Sequence, residues 1–110
     1  MHIIHKGGLI LTAKTQMVID ALSQELRIPK EGVLEQGLKA FLERNLREIK
    51  VEIFHITGKY GISSVEEMDK RYKQGTLVEE DTWRDFQRLD HLEYKKEHLE
   101  MLLKTAPKQL

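Results

Sequence analysis

The clearest sign of a task in this sequence is an aromatic stripe in an acidic segment. Trp83, Phe86, Leu89 and Leu92 recur at three-residue steps, and from Glu79 to Glu100 eight acids stand against four bases. Apolar anchors spaced in this way suit recognition of another protein by a helix laid in a groove. Tryptophan is enriched at binding hot spots. The acids suit a basic partner, because charge complementarity speeds encounter more than it adds affinity. The competing use of the same stripe is packing, within the chain or across a dimer.

No set of residues points to catalysis. Ser63 and Ser64 precede Glu66 and Glu67 and read as helix caps, and Ser23 has no suggestive partner. Gly7-Gly8 lacks the lysine and the further glycine of a phosphate loop and reads as a bend or bulge. His2 and His5 fit one strand face poorly, and His91 and His98 stand two helical turns apart, too far to share an ion. The paired acids Glu66-Glu67 and Glu79-Glu80-Asp81 suit the positive ends of helices. The expectation is no enzyme, no metal and no cofactor.

Composition sets the outer bounds. The chain has 110 residues, 40% hydrophobic and 33% charged, with zero net charge and no cysteine. Disulfide and thiol chemistry are therefore excluded. A core of this size is modest and invites completion by a second copy. No global basic field argues for nucleic acid. No apolar run approaches the roughly 18 residues of a membrane span, and the N-terminus lacks the long apolar core of a signal peptide. The expected location is the cytoplasm, without membrane contact.

The elements that must position these residues follow from pattern. Met1 to Leu11, "MHIIHKGGLIL", reads as one short strand. Thr12 caps a first helix from about Ala13 to Arg27, with Val18, Ile19, Leu22 and Leu26 at helical spacing. Ile28 is the corner, because a residue before proline avoids helical backbone, and Pro29 suits the first turn of the next helix. The second helix is long, with Leu34, Leu38, Phe41, Leu42, Leu46, Ile49, Ile53 and Ile56 stepping by three and four. "VEIFHIT", Val51 to Thr57, is β-branched enough for a strand, yet the unbroken spacing favours helix. Gly58 and Gly61 bracket a break. Ser64 caps a short helix that stops at Gly75. The last helix runs from about Asp81 to Lys104, with acids in its first turn and Lys104 in its last.

Strand, helix, tight turn, helix resembles the ribbon-helix-helix family of DNA-binding proteins. "IDALSQELRIPKEGVLEQGLKAFLE", Ile19 to Glu43, carries the resemblance. Leu22, Leu26, Ile28, Val33, Leu34, Leu38 and Leu42 occupy the apolar places which that family fills. Arg27 stands where the family usually has Gly, and Pro29 where it has Ser or Thr. Ile10 stands where the family reads bases with polar residues, and cannot contact a base edge with two hydrogen bonds. The second half, Lys59 to Leu103, resembles the C-terminal part of small prokaryotic antitoxin-like proteins in its "YGIS" start, its short acidic helix ending in Gly and its acidic Trp-bearing helix.

The resemblance implies a mainly α fold, with a short N-terminal strand followed by helices and a helical C-terminal extension. Residues 1–57 would be a ribbon-helix-helix-like dimerisation module with a long second helix, and 58–110 the extension. Leu34, Leu38, Phe41 and Leu42 would form the dimer core. Lys6, Ile10, Lys14 and Lys30 would face operator DNA, Lys30 through a phosphate at a helix N-terminus. Trp83, Phe86, Leu89 and Leu92 would bind a toxin. The function implied is a homodimeric antitoxin. The alternative is a helical dimeric adaptor without DNA binding.

Overall fold

The computed structural model describes residues 11–106. Thr12 opens the first helix, its hydroxyl oxygen accepting from the Thr15 backbone N–H at 3.1 Å. Helix α1 runs Ala13–Leu26. It ends on Arg27, which holds left-handed backbone at φ 57°. Ser23 then ties the corner: its carbonyl accepts from the N–H groups of Arg27 and Ile28, and its hydroxyl donates to the Ile28 carbonyl.

Pro29 gives its carbonyl to the Val33 N–H at 3.1 Å, and α2 begins at Lys30. Helix α2 runs Lys30–Tyr60, straight through Val51 to Thr57 and past Gly58. Gly61, at φ 65°, ends it. The Ile62 N–H returns to the Thr57 carbonyl at 2.9 Å, and Ile62 is buried. The Arg71 guanidinium donates to the carbonyls of Tyr60 and Gly61, two groups a helix end leaves without partners.

Helix α3, Val65–Gln74, is capped as its sequence suggests, Ser64 accepting from the Glu67 N–H at 3.1 Å. The Glu67 carboxylate reaches back one residue further, to the N–H and hydroxyl of Ser63. Gly75, at φ 76°, closes the helix. Helix α4 runs Glu79–Thr105. Its cap residue, Val78, has no side chain to offer, but Glu79, Glu80 and Asp81 supply negative charge to its first turn.

Among the described residues there is no strand, and this corrects the expected class: the fold is all-helical. The expected strand residues 1–10 lie outside the described residues. Leu11, its expected end, is not in a strand.

Packing divides the chain into two compact units, one running to Leu38 and one from Lys39 to Ala106. The division falls inside α2, whereas the sequence suggested Thr57. In the second unit the core is Ile49, Ile56, Ile62, Met68, Leu89 and Leu92, with Ile53, Tyr60, Val65, Tyr72, Leu77, Phe86 and Leu99 packed round it. Met68, Leu89 and Leu92 are fully buried. Among the described residues of the first unit only Ile19 of the large apolar side chains is buried.

Candidate interaction surface

The first unit presents its apolar residues to solvent. Along α1, Val18, Leu22 and Leu26 follow one another at four-residue steps, and along α2 so do Leu34 and Leu38. Their exposure runs from 40% at Leu22 to 58% at Leu26. Scattered exposed apolar residues are ordinary, but here each helix carries its own exposed row, beside one buried isoleucine. Further along α2, Phe41 is 60% exposed, whereas Leu42 is buried. Of the residues expected in a dimer core, Leu34, Leu38 and Phe41 are thus open, and Leu42 is covered by its own chain.

The charges beside these rows are balanced. Lys30 Nζ lies 2.9 Å from Asp20 Oδ1, an ion pair that joins α1 to α2 at the corner. Asp20 Oδ1 is buried and makes no hydrogen bond, so the ammonium meets it as charge alone. Lys30, expected to face a phosphate, already has a carboxylate partner. Lys14 is exposed in the first turn of α1. Lys6 and Ile10 lie outside the described residues.

The aromatic stripe of α4 divides. Trp83 is 42% exposed and stacks on Phe86, ring centres 5.2 Å apart, and Phe86 meets Tyr72 edge-on at 5.3 Å. Leu89 and Leu92 are fully buried in the core and hold no surface. The cause is geometric. Residues of a helix are about 100° apart, so each three-residue step slips back about 60°, and three steps carry the side chain about halfway round. Trp83 and Leu92 therefore sit on opposite sides of α4. Tyr94 and Met101, each 60% exposed, lie nearer the side of Trp83 and were not singled out by the sequence.

Polar contacts unseen in the sequence fasten the second unit. Arg88 grips Glu52 with two hydrogen bonds, 2.6 and 2.8 Å, and holds that carboxyl below its ordinary pKa. Asp85 accepts from the Tyr60 hydroxyl at 2.5 Å and from Lys59 at 2.9 Å. The tyrosine hydrogen bond first, and the lysine second, lower the Asp85 pKa. Burial is the first cause that raises the Tyr60 pKa. The Glu93 carboxylate accepts from the Val65 N–H at 2.9 Å and so serves as a second cap for α3. Each joins one helix to another; Glu52 and Arg88 also line a cavity of about 330 Å³ with Phe41, Ile49 and Leu92, and Glu93 lines one of about 530 Å³ with Asp90, Glu97 and Glu100. Among the described residues no group of His, Asp and Glu could hold a metal ion.

Residues 17–109 match a family model described as the uncharacterized protein MJ0235 family. The chain belongs to this family. The match takes in most of α1 and all of α2, α3 and α4, and so spans both the open apolar face and the closed core. No curated protein and no solved structure matches the chain. Among the described residues no helix is long and apolar enough to cross a membrane.

Proposed function

We propose that this protein is a helical adaptor that works by protein–protein contact in the cytoplasm and performs no reaction. The observation that supports this best is the exposed apolar face of α1 and the start of α2, on a chain whose other unit closes its own core. Exposed apolar surface of this kind is a feature of proteins that bind other proteins. The polar clusters have structural partners, each joining one helix to another, which favours contact over catalysis. A photoreactive amino acid at position 38 tests the reading in cells. It should give a defined protein adduct, and one at Glu66, exposed on α3, should give none. Absence of any adduct from position 38 would remove the reading.

A second reading, an antitoxin of a toxin–antitoxin pair, is favoured by the half-exposed Trp83 stacked on Phe86 at the acidic start of α4. In that reading the toxin is a basic protein anchored by Trp83, while Lys14 and Lys30 lend phosphate contacts on operator DNA. The existing Asp20–Lys30 pair weakens the DNA part. Salt-dependent affinity for DNA separates this reading from the adaptor, since phosphate contacts release counterions.

A further inference from the structure

Within the second unit, α2 and α4 run antiparallel. Asp85 meets Lys59 and Tyr60, and Arg88, further along α4, meets Glu52, further back along α2. From the Glu52–Arg88 bridge, helical steps of three and four set Ile49 beside Leu92, Asn45 beside Lys95 and Leu42 beside Leu99. These six residues line one cavity of about 330 Å³, and the bridge lines it too, at one end of that register. Its depth is apolar: Leu92 is fully buried, and Leu42 and Ile49 are buried.

The polar level of the cavity is where the two helices make no bond to each other. Asn45 gives its side-chain N–H to the Phe41 carbonyl of its own helix at 2.8 Å. The other charges of the lining are matched, Glu52 by Arg88 and Glu48 by Arg44 at 3.6 Å. Lys95 is in no ion pair among the described residues. The cavity thus offers aliphatic walls and a single cation without a partner.

We propose that this cavity binds a small amphiphilic monoanion, a free aliphatic carboxylate, with its chain along Ile49, Leu92 and Leu99 and its carboxylate on the Lys95 ammonium. Its volume lies in the roughly 300–1,000 Å³ range of small-molecule sites, which pair apolar walls with a few polar groups that fix orientation. A carboxylate accepts a charge-assisted hydrogen bond from an ammonium. A neutral hydrocarbon leaves Lys95 unmatched. A dianion or a nucleotide meets the carboxylates of Glu48 and Glu52 with one free cation to offset them. The inference goes beyond the adaptor reading and does not depend on it, since every residue of this site belongs to the unit from Lys39 to Ala106.

Methyl NMR of the full chain, titrated with octanoate, decanoate and the neutral octanol, tests this. Octanoate should shift the methyl signals of Ile49, Leu92 and Leu99 and leave those of Leu22 and Leu38, in the first unit, in place. Decanoate should bind more than about tenfold tighter, because each buried methylene is worth about fourfold. Lys95 is exposed, so Lys95→Gln leaves the fold intact. That change should weaken octanoate by about tenfold or more and leave octanol as it was, while Lys95→Arg should keep octanoate binding. No shift up to millimolar acid overturns the inference. So do shifts spread over both units alike, octanoate binding that Lys95→Gln leaves unchanged, or octanol bound as tightly as octanoate. The adduct at position 38 reads the adaptor separately, so the failure of one is not the failure of the other.

Discussion

The two units of this chain solve the same problem differently. From Lys39 to Ala106, part of α2 joins α3 and α4 to bury Met68, Leu89 and Leu92 completely, and charged contacts such as Arg88–Glu52 lie round that core. From α1 to Leu38, a helix pair of similar composition buries one isoleucine and leaves five aliphatic side chains in water. Both units are amphipathic and both are capped with care. What differs among the described residues is how much apolar surface closes on itself: six residues are buried together in the one unit, a single isoleucine in the other.

Truncations at matched positions probe this contrast most strongly. Leu89→Ala should lower stability by about 2–5 kcal/mol, the range for emptying a buried leucine site. Leu26→Ala, in dilute protein, should cost under about 1 kcal/mol, because a side chain already in water loses little on truncation. Urea unfolding at low concentration measures both. Equal costs would break the comparison, since they would mean that Leu26 is enclosed.

Trp83→Ala should fall between the two, at roughly 1–2 kcal/mol, the loss of an aromatic stack with partial burial. A cost near that of Leu89→Ala would return Trp83 to the core and remove it as an anchor. Arg27→Gly should raise stability by about 1 kcal/mol, because arginine at φ 57° bears a left-handed backbone that glycine adopts freely. Its readout is the melting midpoint. No rise would show that the Arg27 side chain contributes something its exposed position does not reveal.

The smallest expected effect is a pH dependence confined to the second unit. Asp85 titrates below its ordinary pKa in the fold, so its contribution is present above the unfolded value of about 4 and fades as pH drops through the folded value. Asp85→Asn should flatten that part of the acid-melting curve. An unchanged curve would mean that the Tyr60 and Lys59 contacts do not set it.

The signals legible in the sequence were local ones. Thr12, Ser64 and Gly75 all cap where their types suggest, and Pro29 marks the turn between α1 and α2. Such devices act over four residues, and four residues can be read. Gly58 was taken as a break, yet it lies in α2, and Gly61 with its positive φ is the stop. Glycine permits a turn without demanding one. The Asp85–Tyr60 and Glu93–Val65 contacts span 25 and 28 residues, and no local pattern announces them. The stripe from Trp83 to Leu92 misled for a related reason: three-residue spacing marks apolar positions but, repeated strictly, winds round the helix. The strand was inferred from apolar and β-branched composition, and all of it but Leu11 lies outside the described residues.

Amide hydrogen exchange of the full chain, followed over a range of protein concentrations, tests the central contrast most directly. Protection in α1 and the first turns of α2 should be the lower of the two at every concentration in dilute protein, because their apolar side chains are open to water. Protection in α4 at Leu89 and Leu92 should barely change, because that core is complete within one chain. Equal, concentration-independent protection in both regions would contradict the account.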